Sequence, residues 1–102
     1  MSETIKQDQW VYVVIQNPGQ HETIVGQRDT ESQIDFIPVF KSRDDAQQGV
    51  MYMAKSPGQK FEIQAIIYED LLRHAEDGGF LVFMLDGGGR VLTKIRPDGR
   101  HI

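Results

Sequence analysis

The spacing of apolar positions changes several times along this chain, and each change marks an element. Trp10, Val11, Tyr12, Val13, Val14 and Ile15 form an unbroken aromatic and β-branched run, which favours a strand. Asn17-Pro18-Gly19-Gln20 follows, with Pro second and Gly third. That order suits a type II turn, because Pro presets φ and Gly accepts positive φ. A hairpin into a second strand over residues 21–28 is therefore predicted, with Thr23 and Val25 on one side and Glu22 and Ile24 on the other. The polar stretch Asp29–Gln33 is a loop, and Ile34–Phe40 reads as a third strand. Pro38 has no N–H to donate, so that strand should lie at an edge or carry a break.

The period then becomes helical. Ser42 can cap a helix, with Asp45 three residues on as a variant of the capping box, and Asp44 and Asp45 complement the positive end of the dipole. Ala46, Val50, Met53 and Ala54 fall on one stripe of a helix over about 43–55, which Ser56-Pro57-Gly58 should stop. Phe61, Ile63, Ala65 and Ile67 alternate with Glu62 and Gln64, a half-buried strand. Tyr68, Leu71, Leu72 and Ala75 return to helical spacing, and Gly78-Gly79 supplies a left-handed stop. Phe80–Leu85, Asp86-Gly87-Gly88-Gly89 and Arg90–Arg96 make a terminal hairpin, with Pro97-Asp98-Gly99 as a further turn. Residues 1–9 are expected as a flexible tail, 10–97 as a single domain and 98–102 as a short tail.

The predicted order is βββαβαββ: an α+β two-layer sandwich, with a mixed, mostly antiparallel sheet of about six strands and both helices on one face. The third strand, the first helix and the strand after it form a candidate right-handed parallel crossover. One feature of the pattern strains this arrangement. The strands at Trp10–Ile15 and Phe80–Leu85 are apolar at consecutive positions, so both of their faces want to be dry. Two short helices cover about one face. An apolar patch is therefore expected on the open face, from Trp10, Tyr12 and Val14 or Val11, Val13 and Ile15, together with Phe80, Val82 and Met84 or Leu81, Phe83 and Leu85. A strongly curled sheet, or helices straddling it, would bury the same residues instead. Met51 and Tyr52 lie off the first helix's apolar stripe, and an adaptable Met beside an exposed aromatic suits a contact surface.

Composition narrows the classes. The 102 residues carry 11 Lys+Arg against 15 Asp+Glu, a net charge of −4, and no Cys. Thiolate nucleophiles, disulfides and Cys-based metal sites are thereby excluded. The longest apolar run, Phe80–Leu85, is far short of the roughly 20 residues that span a bilayer. Met1–Gln9 lacks the apolar region of a secretory signal, so a cytoplasmic location is expected. The excess of carboxylates and the scattered cations argue against nucleic acid, even though Trp10, Tyr12, Phe80 and Phe83 are of the type that stacks bases.

Candidate chemistry is sparse. Gly87-Gly88-Gly89 offers backbone N–H groups to an anion, but it leads into a strand and lacks the Lys and Ser/Thr of a P-loop. Asp70, His74 and Asp77 share a face of the second helix, a carboxylate-imidazole set that suits a divalent metal or an acid/base pair as well as a solvated surface. Ser32, Ser42 and Ser56 lack a nucleophile elbow, and His21 and His101 lie near a turn and the terminus.

The segment Phe36-Ile37-Pro38-Val39-Phe40-Lys41-Ser42-Arg43-Asp44-Asp45-Ala46 resembles the strand-to-helix signature of bacterial SseB-like domains, in which a Pro-Val-Phe-x-Ser core precedes a helix. Tyr68–Leu85, with its Leu-Leu pair, Gly-Gly and apolar strand, is similar in order to the second half of that domain. The resemblance covers about half the chain and implies an accessory or chaperone-like role in type III secretion, without a catalytic residue. A second domain is not apparent here. The expectation is a small bacterial, non-enzymatic domain without a cofactor that binds a protein partner or itself. Its contact candidates are Trp10, Tyr12, Met51, Tyr52, Phe80, Val82 and Met84. The alternative is a small-molecule or metal-assisted enzyme using Asp70, His74 and Asp77.

Overall fold

The structure, a computed structural model, describes residues 9–19, 22–53, 58 and 60–102. Residues 1–8 of the tail predicted over 1–9, His21, and the predicted helix stop at Ser56-Pro57 lie outside them, as does the end of the first helix at Ala54 and Lys55. Seven strands and two helices are found among the described residues: β1 (Trp10–Gln16), β2 (Thr23–Ile24), β3 (Gln27–Asp29), β4 (Ile34–Val39), α1 (Arg43–Gly49), β5 (Phe61–Ile67), α2 (Tyr68–Gly78), β6 (Leu81–Leu85) and β7 (Val91–Ile95). The fold is α+β, and the sandwich architecture holds.

Local chemistry accounts for the helix boundaries. Ser42 sits in extended backbone, and its Oγ accepts the Asp45 N–H at 3.1 Å. This satisfies one of the donors that a helix start leaves without a partner. α1 is shorter than its apolar stripe predicted, because after Gly49 the chain tightens into a 3-10 turn over Val50–Tyr52 and then becomes extended at Met53. α2 follows β5 directly and ends where expected. Gly79 takes φ +75°, its N–H donates to the Glu76 carbonyl, and the Phe80 N–H donates to that of Ala75. Those two bonds form a Schellman closure.

The strands divide into two sheets, ordered β2-β1-β5 and β3-β4-β6-β7. The β4-β6 pair is parallel; the other pairs are antiparallel. The expected crossover is corrected accordingly: β5 pairs with β1, and the parallel partner of β4 is β6. The predicted strand over 21–28 breaks at Val25-Gly26 into β2 and β3, which join different sheets. At the break the Val25 N–H donates to the Val14 carbonyl at 2.9 Å, and the Val25 side chain is buried. The two sheets meet where Tyr12 and Phe40 exchange both backbone hydrogen bonds at 2.9 Å.

Two apolar cores result, one on each side of this curled layer. Val11, Val13 and Ile15 of β1, with Val82 and Met84 of β6, pack against Leu71, Leu72 and Ala75 of α2. The alternate residues, Val14 of β1 and Phe83 and Leu85 of β6, pack on the other side with Phe40, Met53 and Ala46 of α1. The helices therefore contact opposite faces, which corrects their expected placement on one. Strands apolar at every position are what this straddled arrangement requires. Residues 98–102, expected as a tail, turn back along β7. Arg96 N–H donates to the Arg100 carbonyl at 2.8 Å, Ile102 N–H donates to that of Lys94 at 3.0 Å, and His101 bridges Ile95.

Candidate functional site

The patch expected from an uncovered sheet face is not formed, because α1 and the 3-10 turn cover the face that α2 leaves. Val82 and Met84 have no exposed surface and belong to the core beneath α2, so they are withdrawn as contact residues. Phe80 is half-buried, its ring wedged between Gly26 and Gly78. A Cβ on either glycine would lie under 3.0 Å from that ring. Tyr12 is half-buried as well, with the Arg43 guanidinium 5.4 Å above its ring. Trp10 remains exposed at 56%, and so do Met51 at 77% and Tyr52 at 70%.

Met51 and Tyr52 do not stand alone. The described residues include six exposed large apolar side chains: Trp10, Met51, Tyr52, Val91, Leu92 and Ile102. Two of these, Tyr52 and Val91, meet at the junction between the 3-10 turn and the β6-β7 hairpin, with Met51 and Leu92 next to them in the chain. A cleft of about 120 Å³ opens there, lined by Phe36, Pro38, Tyr52, Met53, Leu85 and Val91. Its rim is set by the hairpin loop, where Gly89 takes φ +81° directly against Tyr52. Below the cleft, Phe36 and Phe83 stack with ring centroids 4.2 Å apart, and Lys94 lies 5.3 Å over the Phe83 ring. The site is thus an apolar hollow with two exposed side chains, Tyr52 and Val91, in its lining and a cation on the neighbouring ring.

Sequence reasoning singled out Met51 and Tyr52 but not Val91 and Leu92. A signal was present. Two adjacent apolar residues in a strand cannot both face one core. Here the pairing with β6 shifts between Met84 and Leu85, so that Leu85 pairs with Val91 while Met84 pairs with Thr93. Leu92 falls in that irregularity and is left exposed.

The glycine triad is closed to anions by its own chain. Asp86 Oδ1 accepts the N–H of Gly88 and of Arg90, each at 2.9 Å, and the Asp86 carbonyl accepts that of Gly89 at 3.1 Å. These donors are already engaged by a carboxylate and a carbonyl, and the loop serves as a rigid turn. On α2, Asp70 is held by Arg73 at 3.3 Å, and the same guanidinium reaches Glu69 at 2.6 Å. His74 and Asp77 are exposed. No group of three or more His, Asp or Glu side chains arranged to hold a metal ion occurs among the described residues. No described helix is long and apolar enough to cross a membrane. Compared with protein-family models, curated proteins and solved structures, the chain matches none.

Proposed function

We propose that this chain is a non-enzymatic, cytoplasmic protein-binding domain whose contact surface is the cleft between the 3-10 turn and the β6-β7 hairpin. The observation that carries this reading is the apolar hollow itself, lined by Phe36, Pro38, Met53 and Leu85 and flanked by two exposed apolar side chains, Tyr52 and Val91, whose chain neighbours Met51 and Leu92 are exposed as well. Scattered surface hydrophobics need no explanation, whereas a contiguous group does. Size favours a protein over a small molecule: the cleft measures about 120 Å³, against roughly 300–1,000 Å³ for pockets that enclose drug-sized ligands. A side chain from a partner fits the hollow between Tyr52 and Val91, with Met51 beside Tyr52 in the chain. Burial of the Met51 and Tyr52 side chains contributes on the order of 2–3 kcal/mol each before the cost of association is subtracted. The resemblance of residues 36–46 to SseB-like domains, with their accessory roles, points the same way.

The reading is tested by placing a photoreactive phenylalanine analogue at position 52, and separately at Arg73 on the charged face of α2, in the native host. A discrete adduct of one added mass from position 52, lost when Val91 is also changed to Glu, is the expected result. Equal adduct patterns from both positions would remove the cleft as the contact surface.

A further inference from the structure

We infer that the outer edge of β5 pairs antiparallel with the β5 edge of a second copy of this chain, on a two-fold axis through Ala65. The seam is separate from the cleft, so either one stands if the other fails. The argument starts from hydrogen-bond parity. Tyr12 directs its N–H and carbonyl to Phe40, away from β5. The groups of β1 that face β5 are therefore those of Val11, Val13 and Ile15, whose partners are Ile66, Gln64 and Glu62. The bonds from Asn17 N–H to the Lys60 carbonyl and from Tyr68 N–H to the Gln9 carbonyl, both 2.9 Å, continue the same parity at the two ends. By alternation the backbone groups of Ile63, Ala65 and Ile67 point outward, at the end of the sheet order β2-β1-β5. Arg43 reaches this edge and donates to the Ile63 carbonyl at 3.1 Å, which leaves that oxygen a second lone pair.

A seven-residue outward edge is a template for another strand. Its side chains favour a second copy in the register that pairs the two outward isoleucines; an axis at Gln64 keeps the same parity but sets Ile63 against Ala65 and Gln64 against itself. With the axis at Ala65, Ala65 faces itself and Ile63 faces Ile67. Both pairs lie on the side of the sheet that carries Trp10, Tyr12 and Val14, since Trp10 pairs with Ile67, Tyr12 with Ala65 and Val14 with Ile63. One apolar row then runs Val14, Ile63, then Ile67 and Trp10 of the second copy, and its symmetry mate runs the other way. The exposed indole of Trp10 is thereby extended into a surface shared with Ile63 and the Arg43 cation. On the opposite side of the sheet Gln64 meets Ile66, and Glu62 falls past the paired segment where the second copy's strand gives way to α2, so no like charges face each other within it, the arrangement that would oppose self-pairing. An axis at Ile63 would stack the two Arg43 side chains on one another, and an axis at Ile67 would run into the start of α2.

The chain has no native Cys, which gives a direct test. Residues that exchange both backbone bonds across an antiparallel pair sit about 5.5 Å apart at Cα, within disulfide reach. Ala65→Cys should form a disulfide dimer under mild oxidation at micromolar concentration, at least ten times faster than Glu62→Cys, which lies six residues from its own copy. Sedimentation of the unmodified chain should show concentration-dependent dimer formation, abolished by Ala65→Lys with the melting temperature kept. Equal oxidation of the two cysteine variants, or a monomer at several hundred micromolar, would overturn the seam.

Discussion

Gly49 sets two general tendencies against each other. It lies inside a helix at φ −67°, where any residue fits, and replacing Gly by Ala in such a place ordinarily adds about 1 kcal/mol of helix stability. Here a Cβ would stand 2.2 Å from Cε1 of Phe40, a fully buried ring. The ring is held between Val14, Ala46 and Phe83 and cannot withdraw without disturbing that core. Overpacking costs of about 1–3 kcal/mol decide the sign. Gly49→Ala is therefore expected to lower the free energy of unfolding in urea by a net of up to about 2 kcal/mol, and a stabilised variant would refute the fit. None of this was legible in the sequence, where Gly49 is one glycine in a helical stripe. The ring that forbids a methyl group there belongs to Phe40, the residue just after β4, which bridges to Tyr12 before the chain enters α1. Glycines with a purely local reason, such as Gly79 at the end of α2, were readable because the left-handed conformation needs no distant partner.

At the scale of elements, local and distant causes separate cleanly. The cap at Ser42 was read from the chain and is formed, and its worth can be stated: Ser42→Ala should cost about 1 kcal/mol, because the Asp45 N–H loses its acceptor. Ser42→Asp should keep most of it, which thermal melting followed by circular dichroism will check; no loss from Ser42→Ala would show that the cap contributes nothing. α2, β5 and β6 were likewise legible, since period, caps and turn residues agree over their lengths. β4, expected at an edge or broken because of Pro38, instead runs unbroken between β3 and β6, with Pro38 beyond the stretch that β3 pairs. The strand over 21–28 was not. Its alternation is regular, but Val25 is drawn into the core beside Val14, and the backbone turns there from one sheet to the other. The cleft was half legible: Met51 and Tyr52 fall off a helical stripe, whereas Val91 and Leu92 are exposed by a register shift that only pairing with β6 produces.

For the whole molecule, the doubly apolar strands are the central fact. β1 and β6 each contribute alternate residues to both cores, so neither core has a wall of its own. A protein with two independent cores would lose them one at a time. In this one, loss of the core under α2 removes the packing of Val11, Val13, Val82 and Met84, and with it the strands that present Val14, Phe83 and Leu85 to α1. The two sheets are further coupled by the Tyr12-Phe40 bonds, which close the curl between them. Unfolding should therefore be a single cooperative transition, the usual behaviour of a domain of this size. Leu71→Ala beneath α2 and Phe83→Ala beneath α1 should each destabilise by about 2–5 kcal/mol, because each empties a fully packed site. Both variants should keep the denaturant slope of the parent chain, with Trp10 fluorescence and far-ultraviolet circular dichroism changing together. If Phe83→Ala instead gave two steps, with α2 surviving the first, the shared strands would not be transmitting the loss. The two cores would then be separable units, and the continuous apolar runs of β1 and β6 would need another explanation than the layer on each side of them.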